Sequence, residues 1–419
     1  MNKFLVLCIL MFLNPIQGMV LIKGLRTYSS RGEIFPPIIV YNDFDSTGTE
    51  NTINDHIIIE FDVISKLKPN LQIVFKFCDK FWKEQDNLFL QNFNKDKFYN
   101  LQYAVAPNGI QTYNYSFRQK FPDERKQITF PFSGKYKFLI TEFNNENIVY
   151  GEGYFFVIYQ EFPVRVFYSH EIIDDKIYKI MDFNRREKLQ IDVTIPEKYE
   201  PFRLNEVEII QNQKFFYSYF INFSKTTRYE FGKQISPNIR RFVKRDLFPG
   251  NEYRQINLLN VEKYPNYKLL RSFEGIDISR KYNYGGYDFN GGKITYSKND
   301  IFSEYLDYEF QLTLYEDSSK DVFIVGSFNN WKVLPEYKMI KNGNYYSKIV
   351  NLKRGIYDYQ YVLGKIEGNE VLIEDKDWVE IEGNFWETEN TYYIFVYYQS
   401  PDFGGYDKIV ALIEIKTKN

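Results

Sequence analysis

Apolar and polar residues alternate with a period of two along most of this chain, in short runs separated by turn residues. The clearest run is Lys188-Leu189-Gln190-Ile191-Asp192-Val193-Thr194-Ile195, which Pro196 ends, because proline has no N–H to give to a β ladder. His56 to Val63 sets Ile57, Ile59, Phe61 and Val63 on one face. Gly134 to Ile140 sets Tyr136, Phe138 and Ile140 inward and Lys135 and Lys137 outward. This is the period of a half-buried strand. Comparable runs predict strands at Leu71–Cys78, Gly153–Tyr159, Glu206–Ile210, Phe215–Asn222, Tyr253–Leu258, Glu309–Tyr315, Val322–Val325, Tyr357–Val362 and Tyr392–Tyr398. Ile34–Tyr41 reads as an edge strand entered through Pro36-Pro37. No stretch of about 12 residues sustains the 3.6-residue period of a helix. The expected fold class is all-β, a tandem series of β-sandwiches.

Breaks in the pattern divide the chain. Phe162-Pro163-Val164 marks one boundary, and the Gly- and Asn-rich stretch from Tyr282 to Gly292 reads as a long loop or linker. The expected units are a first sandwich over 19–160, a middle sandwich over 161–300 and a last one over 301–419. Asp43 to Asp55 is a polar loop. Residues 1–18 have the form of a secretory signal peptide: Lys3, an apolar core from Phe4 to Leu13, a break at Asn14-Pro15 and a small residue at Gly18. Removal of that peptide leaves Cys78 as the single cysteine, so an internal disulfide is excluded. No later stretch approaches the roughly 18 uninterrupted apolar residues of a membrane span. An exported chain without stable membrane insertion is expected.

Composition narrows the function classes. Lys and Arg number 53 against 55 Asp and Glu, which leaves no basic stripe for a nucleic acid. The two histidines, His56 and His170, stand in no zinc-ligand spacing, and neither a nucleophile elbow nor a Walker A loop is present. Cys78, at a strand end, reads as a small buried hydrophobe. The acidic stretch Glu374-Asp375-Lys376-Asp377 with Glu380 and Glu382 reads as a solvated loop. Gly285-Gly286 and Gly291-Gly292 lie at no strand-to-helix junction and offer turn freedom instead of a phosphate cradle. No catalytic residue, cofactor or metal is expected, and the chain does not read as an enzyme.

One stretch carries a sharper signal. Asp321-Val322-Phe323-Ile324-Val325 is a strand that breaks at Gly326, and Ser327-Phe328-Asn329-Asn330-Trp331 forms the turn after it. The last unit resembles the early-set immunoglobulin-like domains related to glycogen- and starch-binding modules. In those modules a Trp at this position stacks its flat face on a sugar ring. The alternative is that Trp331 packs the turn against the sheet. Asn330, Trp331, Trp378 and Trp386 are the candidate ligand or interface residues. Where those modules carry a sugar-binding Lys, this chain has Gln360, which weakens the glycan reading.

Motifs spread over the rest of the chain resemble the type IX secretion system plug protein family. They are Pro36-Pro37-Ile38-Ile39, Glu60-Phe61-Asp62, Phe77-Cys78-Asp79-Lys80-Phe81-Trp82 and Ser133-Gly134-Lys135-Tyr136 in the first unit. Phe248-Pro249-Gly250-Asn251-Glu252-Tyr253-Arg254 and Tyr287-Asp288-Phe289-Asn290-Gly291 follow. The last unit contributes Val325 to Trp331, Gly355 to Val362, Ile381 to Asn390 and Tyr406-Asp407-Lys408-Ile409. Phe77 departs from the family pattern, which has His there. The resemblance implies a periplasmic protein with no catalytic role. It would dock on the inner mouth of the large outer-membrane translocon barrel and seal its pore while no cargo is exported. Its partner would be that barrel, with neither nucleic acid nor a glycan expected. The alternative function is a secreted or periplasmic glycan-binding protein that uses the Trp331 loop.

Overall fold

Strict alternation at Lys188–Ile195 is realised as strand Arg185–Thr194, with Leu189, Ile191 and Val193 buried in a core between two sheets. The same logic holds throughout. The computed structural model describes residues 20–42, 56–173, 184–289, 291, 293–295 and 303–417. Over these it contains strands and short 3-10 turns, with no α-helix. The strands form six sheets, paired as three immunoglobulin-like sandwiches. The proposed signal peptide, the polar loop 43–55 and Asn290 and Gly292 of the Gly-rich loop lie outside the described residues.

In the first sandwich, one sheet orders Leu21–Ser29, Ile57–Ile64, Tyr115–Phe121 and Tyr103–Val105. The facing sheet orders Ile38–Asn42, Asn145–Gln160, Gly134–Glu142, Leu71–Cys78 and Lys97–Phe98. Ile38–Asn42, which follows Pro36-Pro37, is an edge strand and runs parallel to Asn145–Gln160. Phe61, Phe75, Phe117, Phe121, Phe138 and Phe155 fill the space between the two sheets.

The division into three consecutive segments is corrected by the strand pairing. The middle sandwich has one sheet of Val164–Ile172, Arg185–Thr194, Ile239–Leu247 and Glu230–Ser236. Its other sheet joins Glu206–Gln211 and Tyr219–Asn222 to the C-terminal hairpin Thr391–Ser400 and Tyr406–Lys416. The middle segment supplies only two strands to that sheet, and the end of the chain returns to complete it, with Glu208 opposite Phe395 and Val207 opposite Val396. The third sandwich takes Arg254–Asn257, Leu269–Leu270, Asp277–Ile278 and Lys293–Thr295 from the segment expected in the middle unit. Arg254–Asn257 pairs with Gly355–Glu367, and Leu269–Leu270 with Tyr305–Thr313.

The first two sandwiches also pack sheet on sheet. Ile38, Val40, Phe156 and Ile158 meet Ile210, Phe215, Tyr393, Phe395, Tyr397 and Ile409 in a fourth apolar core. Alternate residues of Thr391–Ser400 point into different cores: Tyr392, Ile394 and Val396 one way, Tyr393, Phe395 and Tyr397 the other. A strand buried on both faces needs this uninterrupted apolar run. The second layer overturns one expectation about Gly134–Glu142. Lys135 is buried instead of facing solvent, because the middle sandwich covers its face. Its Nζ donates to Glu208 Oε1 at 2.8 Å and to the Lys80 carbonyl at 2.7 Å, and lies 4.5 Å from the Trp82 ring. Lys137 keeps its outward position and pairs with Glu84 at 2.7 Å.

Candidate functional site

Strand Asp321–Gly326 runs antiparallel to Gly355–Glu367, with Val325 opposite Gln360 and Gly326 opposite Tyr359. A Cβ at Gly326 would lie 2.5 Å from the Asp358 carbonyl oxygen, so the strand can end here only in glycine. The turn closes on itself: Gly326 N–H donates to Asn329 Oδ1 at 3.0 Å, and Trp331 N–H donates back to the Gly326 carbonyl at 3.0 Å. Asn330 and Trp331 both take positive φ, 54° and 59°. That backbone turns the indole inward. Trp331 is 1% exposed, and its Nε1 donates to the Gly291 carbonyl at 3.1 Å. Its ring centroid lies 4.1 Å from that of Tyr253, and Phe323, Val325, Val333, Val362 and Trp378 complete its surroundings. Gly291 lies so close that a Cβ there would be 3.1 Å from the indole. Trp331 is therefore a core residue. Of the two readings of Trp331, packing against the sheet is the one realised, because Tyr253 and Gly291, both distant in sequence, cover the ring.

The other candidates separate. Trp378 is buried in the same cluster, edge-on to Tyr217 at 5.0 Å and with Lys214 Nζ 4.4 Å from its ring centroid. Asn330 is exposed at the rim of a crevice lined by Phe35, Trp82, Tyr154 and Phe216. Trp386 is 36% exposed, with the Arg185 guanidinium 5.0 Å over its ring and His170 at 5.9 Å. Burial and then Arg185 lower the His170 pKa. The four residues thus occupy three places and build no single surface. Gln360, where the resemblance led to the expectation of a lysine in sugar-binding modules, is 4% exposed and lines one pocket with Trp378 and Tyr253.

Sequence motifs from the middle and the end of the chain meet in one buried joint. Glu382 accepts from Arg254 Nε at 3.0 and 3.1 Å, from Arg280 Nε at 3.2 Å and from the Tyr361 N–H at 3.0 Å. Burial alone would raise its carboxyl, but Arg254 and Arg280 hold it below the ordinary value. Asn251 Nδ2 donates to the Glu382 carbonyl at 2.6 Å, and Gly250 N–H donates to Asn384 Oδ1 at 3.0 Å. The 382–384 segment is thus a buried structural turn; of the acidic stretch, Glu374, Asp375 and Lys376 are exposed as expected, while Glu382 is not. Asp377 is likewise buried, paired with Lys320 at 2.7 Å. Two carboxyls near the joint have no cation among the described residues to hold them down. Burial pushes Glu252 up to about 7 and Asp358 up to about 6.

Among the described residues no group of three or more His, Cys, Asp or Glu is placed to hold a metal. Cys78 is buried and its thiol is pushed up to about 12 by burial, which leaves it no thiolate to act as a nucleophile at neutral pH.

The exposed feature that the sequence reading missed lies at one edge of the first sandwich. Leu88–Leu90 is a 3-10 turn whose Phe89 N–H donates to Asn87 Oδ1 at 3.0 Å. Asn87 Nδ2 donates to the Phe403 carbonyl at 2.7 Å, which fixes this turn against the 402–404 turn of the C-terminal hairpin. Leu88, Phe89 and Phe403 are thereby held exposed side by side, with Phe93 exposed just beyond, and Phe89 at 70%. Phe403 rests on Phe132 at 5.2 Å. The available signal was an apolar triplet, Leu88-Phe89-Leu90, without alternation inside a polar, Asn-rich stretch.

Residues 311–387 match the family described as the glycogen recognition site of AMP-activated protein kinase. None of the curated proteins matches the chain. Among solved structures, a hypothetical protein from Parabacteroides merdae aligns at 18% identity with a TM-score of 0.73, covering 96% of this chain and 99% of that one. It shares the whole three-sandwich fold. A bacterial ice-binding adhesin aligns at 9% identity over 96% of each chain, with a TM-score of 0.15 that shows no common fold. The all-β fold and the early-set match together fit a non-catalytic binding protein.

Proposed function

We propose that this chain is a non-catalytic docking protein, a periplasmic plug of the type IX translocon. It would seat on the periplasmic mouth of the large outer-membrane barrel and close the pore between export events. The observation that carries this reading is the exposed apolar edge of Leu88, Phe89, Phe93 and Phe403. Large aromatics presented together on a rigid edge are the anchors that interfaces use. The interlocked architecture supports the reading, since a seal has to resist deformation, and here the chain end closes back on the middle sandwich. The resemblance of motifs along the chain to the plug family supports it as well. A docked face of this kind buries about 1,200–2,000 Å² in total.

A second reading, a glycan-binding protein, is favoured by the glycogen-site match over 311–387 and by the exposed ring of Trp386. It has to do without Trp331, whose ring is enclosed.

Affinity purification of the tagged chain from its own envelope separates the two. Co-elution of a very large outer-membrane barrel, lost in the double variant Phe89→Asp/Phe403→Asp, is the expected result. Retention on an α-glucan column that falls in Trp386→Ala, with no barrel recovered, would overturn the plug reading.

A further inference from the structure

A small, partly open pocket lies where the middle segment meets the third sandwich, next to the enclosed Trp331 cluster. Its walls include Asn212, Lys214, Tyr253, Gln360, Asp375 and Trp378, and its volume is about 30 Å³. A space of roughly 10–15 Å³ already admits one water-sized atom, so this one takes about two. Two of its walls carry hydrogen-bond donors left over by the fold. Gln360 is more than nine-tenths buried, and its Nε2 has no hydrogen-bond partner. Lys214 Nζ rests over Trp378 and has no hydrogen-bond or ion-pair partner among the described residues. Other polar walls are engaged with one another: Asn212 Nδ2 donates to Tyr253 Oη at 3.2 Å and to Asn390 Oδ1 at 3.0 Å, and the Asp375 carboxylate is hydrogen-bonded to Tyr219.

A buried amide N–H left unpaired costs about 1–3 kcal/mol, and the Lys214 ammonium, set against an aromatic wall, feels Asp375 without forming an ion pair with it. Both deficits are of one sign, and both are relieved by an acceptor in the cavity. We propose that this cavity is a binding site for a small monovalent anion, a halide or a formate-sized carboxylate, held between Lys214 Nζ and Gln360 Nε2. The anion would bridge the 211–219 segment of the middle sandwich to strand Gly355–Glu367 and so tighten the joint between the two units. The site stands independently of the docking function.

Lys214 and Asp375 are the charged side chains lining the pocket, and an anion must prefer the lysine to the carboxylate. Burial lowers Lys214 to about 7, with Asp375 acting against that shift. Asp375 faces Tyr219 from the 375–378 turn, and Lys244 lies 4.9 Å from the Tyr219 ring. Tyr253, on the other side, keeps its proton through neutral pH because burial raises it. An anion that favours the charged lysine therefore binds with uptake of a proton. Its affinity falls as pH rises above about 7.

Bromide is the probe. Crystals of the full chain soaked in sodium bromide at pH 6 are measured for anomalous scattering, and thermal unfolding of the protein in solution is followed against bromide at pH 6 and pH 8.5. The expected result is an anomalous peak within hydrogen-bond reach of both Lys214 Nζ and Gln360 Nε2. Bromide stabilisation should be at least tenfold weaker in apparent affinity at pH 8.5, and abolished in Lys214→Met. A cavity that holds only water at saturating bromide, or stabilisation that survives unchanged in Lys214→Met, overturns the proposal. Should Lys214→Met not fold, Gln360→Leu and the wild-type peak decide it.

Discussion

Lys135 Nζ and Glu208 Oε1 lie 2.8 Å apart with both side chains almost wholly enclosed, one in the first sandwich and one in the second. Tyr397 Oη donates to the other carboxylate oxygen at 2.6 Å, so the C-terminal hairpin is part of the same contact. The pair sits in the apolar layer that joins the two sandwiches. Burial pulls the Lys135 pKa down, and Glu208 is the attraction that opposes it. Removing one partner strands the other charge. Lys135→Met or Glu208→Leu alone should destabilise the chain by about 3–5 kcal/mol, and the double variant should cost less than the two singles summed. Urea unfolding of the three variants measures this, and strict additivity would refute it.

Trp331 gives the second prediction. Its indole is packed on Tyr253 and hydrogen-bonded to Gly291. Trp331→Ala should therefore cost about 3–5 kcal/mol of stability, while any retention on α-glucan stays unchanged. Trp386→Ala, with its ring at the surface, should move stability by no more than about 0.5 kcal/mol. A Trp331 variant that folds as well as the wild type and loses glucan binding would reverse this assignment.

Acid should stabilise this protein down to about pH 5. Glu187 is fully buried and accepts hydrogen bonds from Tyr168 and Tyr392, with burial pushing its pKa up to about 7. Glu252 and Asp358 are shifted the same way. A carboxyl whose folded pKa is raised binds its proton more tightly in the folded state. Stability then rises as pH falls from the folded toward the unfolded value, between about 7 and 4.5 for Glu187. The shift is worth up to about 3 kcal/mol for that one group. Thermal unfolding should show a higher Tm at pH 5.5 than at pH 7.5, and Glu187→Gln should flatten the slope. A Tm that climbs with pH across this window contradicts the assignment.

The exposed edge is tested by separating stability from docking. Phe89→Asp should leave unfolding within about 0.5 kcal/mol of the wild type, since the side chain has little to lose in the free protein. The same change should reduce recovery of the barrel at least tenfold, as truncating an interface anchor does. Full recovery of the barrel with Phe89→Asp/Phe403→Asp would move the docking face elsewhere.

Much of the strand set was legible in the sequence, because a side-chain period of two is a local property. Leu189, Ile191 and Val193 are where alternation puts them, and the break at Gly326 is where the backbone of Asp358 forbids a side chain. The fold class follows from such runs. Alternation identifies two faces of a strand, however, and does not say whether a second layer covers the polar one, so Lys135 was read as solvent-facing. Nor does a local pattern name a strand's partner. Thr391–Ser400 finds Glu206–Gln211 across nearly two hundred residues, and that pairing moved the chain's end into the middle sandwich.

The candidate site divides in the same way. The turn from Gly326 to Trp331 was determined by its own residues, through glycine, a capping Asn329 and two positive φ angles. Whether the indole at its end meets solvent depended on Tyr253 and Gly291, which only the folded chain brings to it. The sequence by itself determined strands, turns and the absence of sustained helical periodicity, since these rest on neighbours a few bonds apart. The tertiary structure decided which aromatic faces are spent on internal joints and which remain outside, because burial is a property of all surfaces that meet.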